Sequence, residues 1–407
     1  MATTTHTAGA SRTQPDVPAS ASRATRLESL DVVRGLTVAG MIIVNDPGTW
    51  SSIYWPLAHA DELMSEHPTG SYPGKSWIDA MGWTPTDLVF PFFLFIVGVS
   101  MVLSVRKRQA AGASRRELVL HVARRSVLIL LIGWLLHLQP YFDFARMRFP
   151  GVLPRIAVVY LFASLITLWT ERRGRILWIA GLLAGYYLVM RLVPVPDCDR
   201  AAWMTQHCSL AGWIDRKVML GHLYRPDFDP EGLLSTFPAI ATALLGTLAG
   251  GFLAGDQSLP RKVRGLALAG IVGVAAGYAW HPFFPIYKPL WTSSYVLFTA
   301  GACCLMLALC SWLIDLRGWR WWDRPFVWLG SNAILVYVLS MFFAVMGYVI
   351  KVREDGQDVG VQDWIYRHWF TPFADPRNAS LAFAICYTAL WTLVAWGFHR
   401  KKLFLRL

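Results

Sequence analysis

The sequence predicts an all-α polytopic membrane protein with about ten transmembrane helices. Three observations carry that expectation. The 407 residues are 55% hydrophobic and only 16% charged, with a mean hydropathy of +0.40, whereas soluble domains carry about 25% charged residues. Apolar stretches of about 20 residues, long enough to cross a hydrocarbon core, recur along the chain. Between them lie short basic clusters such as Arg106-Lys107-Arg108, Arg172-Arg173, Arg261-Lys262 and Arg400-Lys401-Lys402. That is the topology signal of a polytopic protein, not a basic recognition face, so the net charge of +12 reports orientation and no nucleic-acid partner is expected. The 20 Trp and 14 Tyr suit aromatic belts at membrane interfaces, and membrane lipids are expected partners.

Residues 1–25, rich in Thr, Ser, Ala and Pro without an apolar core, read as a disordered cytoplasmic tail rather than a cleavable signal peptide. Residues 26–407 read as one membrane domain. Its spans are expected near 30–48, 87–105, 125–140, 153–170, 175–193, 233–254, 264–281, 293–315, 325–349 and 380–398. An even number of spans puts both termini on one side, and most of the 38 Lys and Arg lie on that side, so both termini are expected in the cytoplasm. The long loops at 49–86, 194–232 and 350–379 then lie outside. The second ends Asp229-Pro230-Glu231, which reads as an N-cap, a Pro at N1 and an acidic first turn of the following span. Cys198 and Cys208 share this loop. A disulfide between them suits an oxidising compartment, with two unpaired thiols as the alternative. Cys303, Cys304, Cys310 and Cys386 lie in apolar segments and read as packing residues.

Ionisable groups within or at the ends of spans are costly and mark substrate paths or reaction sites. Arg34 lies about one turn into the first span with Asp31 at i, i+3, which suits an internal salt bridge with a snorkelling side chain. The sharper reading has Arg34 and Arg155, at the outer start of the fourth span, facing a polar cavity that holds a phosphorylated or carboxylated ligand. His59, in the first external loop, is either an ordinary loop residue or a general base or acyl carrier. His67, His207, His222, His281 and His368 compete with it on the same side. Asn45 either closes the first helix ahead of Pro47-Gly48 or donates an amide N–H to a developing oxyanion. Asp87, in Thr84-Pro85-Thr86-Asp87, serves in a helix cap or orients His59. Asn332, inside the ninth span, is interhelical glue or part of a polar cavity. No nucleotide-binding loop, dinucleotide fingerprint, HExxH motif or zinc-ligand spacing occurs in the sequence, so no metal is expected.

Several of these segments fall into a known pattern. Leu30-Asp31-Val32-Val33-Arg34-Gly35, Asn45-Asp46-Pro47-Gly48, Pro56-Leu57-Ala58-His59-Ala60, Thr84-Pro85-Thr86-Asp87-Leu88, Gly151-Val152-Leu153-Pro154-Arg155, Asp229-Pro230-Glu231-Gly232, Leu290-Trp291-Thr292-Ser293-Ser294-Tyr295 and Asn332-Ala333-Ile334-Leu335 resemble the heparan-alpha-glucosaminide N-acetyltransferase family and its bacterial homologues. The opening Leu-Asp-x-x-Arg-Gly also looks like that of broader membrane acyltransferases that modify polysaccharides and lipids. The resemblance implies a multi-pass acetyltransferase of the bacterial inner membrane. It would move an acetyl group from cytoplasmic acetyl-CoA, its co-substrate, to an amino-sugar or envelope-glycan acceptor on the periplasmic side. It maps the active-site His onto His59 and the Asn closing the first span onto Asn45. The phosphates of coenzyme A call for a basic path open to the cytoplasm, to which Arg34 contributes if its side chain reaches down.

Two departures qualify the match. Residues 61–81, with His67, replace the family's short Trp-x-Gly link, and the large lumenal domain of the animal enzymes has no counterpart here, so a heparan substrate is not carried over. An amino-sugar or N-acetylglucosamine transporter is the competing reading, but no paired halves with matching broken helices are visible. A non-catalytic scaffold leaves the buried arginines unexplained. Oligomeric state is open, and a homodimer is compatible with the sequence.

Overall fold

The computed structural model describes residues 27–61 and 81–404, so the tail at 1–25 and most of the 61–81 insertion, His67 included, lie outside the described residues. Among the described residues eight helices are long and apolar enough to cross a membrane, and a bent pair makes a ninth. Helix α1 (Glu28–Asn45) is largely buried among these helices but carries Glu28, Asp31 and Arg34 near its start and is not one of them. The protein is therefore an all-α, multi-pass membrane protein. The chain continues through α2 (Val89–Ala110), α3 (Arg115–Leu138), α4 (Val152–Trp169), α5 (Arg172–Leu192), the short α6 (Leu210–Val218), α7 (Thr236–Leu253), α8 (Leu259–Trp280) and α9 (Ser293–Cys310). It ends with α10 (Arg324–Ser331), α11 (Ala333–Val349), a hairpin of β1 (Lys351–Glu354) and β2 (Gln357–Gly360), α12 (Val361–Trp369) and α13 (Pro376–Arg400).

Burial divides these helices into two rings. Most of α2, α4, α7 and α9 is buried with α1, while α3, α5, α8 and α13 turn most of their apolar surface outward. In lipid that arrangement costs little, because hydrocarbon tails solvate the outward side chains as well as a protein core would. The inner ring is held by backbone proximity. A Cβ on Gly98 of α2 would sit 2.0 Å from the Ala243 carbonyl oxygen of α7, and one on Gly246 would sit 2.0 Å from that of Phe95. Only glycine permits such a crossing, so a larger residue at either position would force the two central helices apart.

Several boundaries differ from the sequence expectation for local reasons. Helix α3 starts well before its apolar stretch, because Ser114 and Glu117 close a capping box (Ser114 N to Glu117 Oε2, 2.8 Å) and the intervening arginines continue the helix. The ninth expected span is two helices, α10 and α11, bent by 84° at Asn332. Asp229 is not an N-cap. Residues 230–235 form turns and α7 starts only at Thr236; the Asp229 carboxylate accepts the Glu231 and Tyr224 N–H groups and is clamped by Arg148, so it closes a local turn instead of α7. The 350–379 loop folds into the hairpin and α12.

Candidate active site

The loop after α1 is pinned against the start of α2. A one-turn helix at Trp55–Leu57 is set by Pro56, whose carbonyl accepts the Thr86 hydroxyl (2.9 Å), and the Ala58 carbonyl accepts the Thr84 hydroxyl (2.7 Å). Asp87 is buried beneath this loop and uses its two oxygens differently. Oδ2 accepts the Thr84 and Ala60 backbone N–H groups (3.0 and 3.2 Å), while Oδ1 lies 2.7 Å from His59 Nδ1. The Tyr295 hydroxyl of α9 donates to the Asp87 backbone carbonyl. Both readings of Asp87 therefore hold: it caps, and it contacts His59. A carboxylate accepts only, so His59 Nδ1 is the protonated, donating nitrogen of this contact.

Lys288 comes from the turn before α9, which Thr292 braces by accepting the Tyr287 N–H (3.1 Å) and donating to the Pro285 carbonyl (2.7 Å). Its Nζ lies 3.0 Å from each ring nitrogen of His59 and 3.9 Å from Asp87 Oδ1. Equal reach to both nitrogens puts the ammonium against the ring face, because each lone pair or N–H lies in the ring plane. His59 and Lys288 open onto a cavity of about 460 Å³ that Asn45, Asp61, Arg148 and Glu231 also line, with Asp87 buried behind His59. Asn45, at the end of α1, and His59 are thus walls of one chamber. The arrangement presents a positioned base, a cation and an amide side by side, which suits proton transfer and the stabilisation of a developing oxyanion.

The far wall is an ion cluster. Gly151, at φ +138°, gives the turn into α4 a conformation that a side chain disfavours, and a Cβ there would meet the His137 ring at 2.4 Å. The turn carries Arg148, whose Nε and Nη2 donate to the two Asp229 oxygens (2.8 and 2.7 Å) and whose Nη2 also donates to Glu231 (2.5 Å). Burial alone would raise the Glu231 carboxyl, but Arg148, Arg155 and Lys288 outweigh it and hold it below the ordinary carboxylate range. Asp215 of α6, buried behind this cluster, accepts the Leu233 N–H (2.9 Å), and burial pushes its carboxyl up to about 7. Cys198 and Cys208 are bridged (Cα–Cα 5.6 Å) in the segment leading to α6.

A second cavity, about 500 Å³, opens at the opposite end of α2. Arg106, Arg172, Arg175 and Gln257 stand among its otherwise largely apolar walls on α7, α8 and α9. Arg175 donates to Thr247 Oγ1 (3.3 Å), and none of the three arginines pairs with a carboxylate among the described residues. Phe90 lines the first cavity and Phe95 the second, little more than one helical turn apart on α2, about 7.5 Å along its axis.

The structure brings together His59, Asp87 and Asn45, and it separates the two arginines expected to share a cavity. Arg34 donates to Asp31 (2.9 Å), to the Gly330 carbonyl (3.2 Å) and to Ser100 (2.8 Å), fastening α1 to α10 and α2. Arg155 lies near the other face, 2% exposed, donating to the Gly232 carbonyl (3.0 Å) and to Ser235. Asn332, at the bend between α10 and α11, donates to the Leu403 carbonyl (3.1 Å), an interhelical link. Sequence reasoning passed over Lys288, Arg148 and the trio Arg106, Arg172 and Arg175. Lys288 is the lone cation between Trp280 and Ser293, just ahead of the Leu290-Trp291-Thr292 motif, and that isolation was the available signal.

A family described as a domain of unknown function (DUF5009) matches residues 26–169. A heparan-alpha-glucosaminide N-acetyltransferase of Mus musculus is 28% identical over 439 residues, covering 94% of this chain and 61% of that protein. The Homo sapiens protein of the same name is 29% identical over 435 residues, covering 93% of this chain and 59% of its own length. The chain thus spans about three fifths of the length of these relatives. Nearly all of this chain is similar to these two heparan-alpha-glucosaminide N-acetyltransferases.

Proposed function

We propose that this protein is a membrane-bound N-acetyltransferase that passes an acetyl group from acetyl-CoA to the amine of an amino sugar or envelope glycan. The observation that carries the reading is the His59–Asp87 contact facing a polar cavity shared with Asn45 and Lys288. Coenzyme A brings several phosphate charges, and the cavity at Arg106, Arg172 and Arg175 offers the matching cations. By the positive-inside rule that face is cytoplasmic and the His59 face periplasmic, with both termini in the cytoplasm and the protein in a bacterial inner membrane.

In the chemical step the acceptor amine attacks the thioester carbonyl carbon. A C–N bond forms as the C–S bond breaks. His59 Nε2 takes the proton the nitrogen loses and returns it to the departing thiolate. Asp87 keeps the ring in the tautomer with Nε2 free and supports the imidazolium that forms, as the carboxylate of a hydrolase triad does. Asn45 and Lys288 lie where negative charge develops on the carbonyl oxygen. The decisive experiment gives the purified protein radiolabelled acetyl-CoA and glucosamine. The expected product is labelled N-acetylglucosamine, reduced about 100-fold or more by His59→Ala. Undiminished acetylation by that variant, or sugar flux into liposomes without acetylation, overturns the reading.

A further inference from the structure

Beside the His59 cavity, on the membrane-facing side of α3, α4 and α7, runs an apolar groove of about 430 Å³. Trp134, Val158, Phe162, Phe237 and Ile240 form its walls, and Phe162 and Phe237 are half exposed, 48% and 51%. Glu231 lines both this groove and the His59 cavity. The groove also holds Arg155, in the first turn of α4 and therefore at the same end of the bundle as His59. The Arg155 guanidinium rests on the Trp291 ring (5.1 Å to the centroid), and its Nη2 donates to Gly232 and Ser235. Its Nε and Nη1, both buried, have no acceptor among the described residues. Of the neighbouring carboxylates, those of Asp229 and Glu231 are already engaged by Arg148, and burial favours the protonated, neutral form of the third, Asp215. A buried, permanently charged group with unmatched N–H donors is unfavourable until an anion accepts from it, and a phosphate suits the planar fork of Arg.

We propose that the acceptor is carried on a lipid: an amino sugar joined through a phosphate to a long apolar chain. The chain lies in the groove at the depth of the leaflet nearest His59, the phosphate accepts from Arg155, and the sugar passes Glu231 into the His59 cavity. This rests on the acetyltransferase reading and names its substrate class. It accounts for an apolar groove that continues into a polar chamber, with a cation at the junction, which a freely soluble sugar would not need.

The test uses the full chain in phospholipid nanodiscs, with a glucosaminyl phosphoprenol carrying a diazirine on its chain. Photolabelling is expected on peptides containing Phe162 or Phe237, and unlabelled glucosaminyl phosphoprenol should displace it. With acetyl-CoA, kcat/KM for the lipid-linked sugar should exceed that for free glucosamine by roughly tenfold or more, the worth of about two buried methylenes. That ratio should fall towards one in Val158→Trp, which fills the groove, and partway in Phe162→Ala, which keeps the fold if the larger residue does not. Equal labelling by a diazirine phospholipid without the sugar means an annular lipid only and overturns the proposal. So does a native ratio near one while free glucosamine is acetylated, an outcome that leaves the acetyltransferase reading standing. Specific labelling with neither acceptor acetylated has the opposite meaning: the lipid site stands and the acetyl transfer falls.

Discussion

The two cavities at the ends of α2 are close in volume, about 460 and about 500 Å³, yet their charges are organised in opposite ways. Around His59 most charges are held by partners: Asp87 with His59 and Lys288, Arg148 with Asp229 and Glu231, and Asp61 and Arg225 through Gln206, with Arg155 the exception. Around Arg106, Arg172 and Arg175 the cations stand without carboxylates on otherwise largely apolar walls. A paired constellation holds atoms in place, which is what a reaction geometry needs. An unpaired cluster instead raises the local potential for an incoming polyanion. One end is built for positioning and the other for attraction, and substitutions at the two ends should therefore change different kinetic constants.

The largest effect is expected from Asp87→Asn. Asn caps a helix about as well as Asp, so the turn at Thr84 should persist, but its amide nitrogen in place of Oδ1 would reverse the contact with His59 Nδ1. We expect kcat to fall about 10²- to 10⁴-fold with KM for acetyl-CoA changed little and thermal stability retained. Steady-state kinetics on both substrates would show it. An active Asp87→Asn protein would reduce Asp87 to a cap and dissolve the contrast between the two ends.

At the other end, Arg106→Gln, Arg172→Gln and Arg175→Gln should each raise KM for acetyl-CoA, by roughly tenfold where a charged hydrogen bond to phosphate is lost, with kcat nearly unchanged. Exposed charges are screened by salt, so KM of the native protein should also climb between low and high ionic strength, and the triple variant should lose that dependence. A fall in kcat at constant KM would place these arginines in the chemistry instead of the approach.

Which parts of this were legible in the sequence follows from the range of the interactions. The spans were readable because apolar length and basic punctuation are local properties. His59, Asn45 and Asp87 were readable as candidates because each sits in a short motif, although their meeting required the Pro56 and Thr84 contacts to fold one loop onto another helix. Long-range ion pairing was not readable. Asp229 looked like a helix cap because Pro230 and Glu231 follow it, but it closes only a short turn onto Glu231 while holding the distant Arg148, and the helix begins after Ser235. Arg34 and Arg155 looked alike as arginines in apolar segments, and nothing local distinguishes the one that joins three helices from the one that lines the groove. The bend at Asn332 was hidden for the converse reason: hydropathy continues smoothly across a break in the helix.

The smallest effect sharpens the paired side of the comparison. Asp215 faces Asp229, Arg155 and Arg216, and burial raises its carboxyl from 3.8 to about 7. A carboxyl that binds its proton more tightly in the folded state stabilises the fold when protonated. That stability is present at low pH and is lost as pH rises from about 4 to about 7. Asp215→Asn keeps an acceptor for the Leu233 N–H and removes the titration. The native protein should therefore lose a few degrees of Tm between pH 5 and pH 8 that the variant does not lose, at about 1 °C per kcal/mol for 407 residues. Melting curves in detergent at fixed ionic strength would compare them. Parallel curves would mean that Asp215 is charged at both pH values and held by Arg155 and Arg216. Arg155 would then have an ionic partner of its own, and the His59 end would be paired throughout, with no cation left to receive a phosphate.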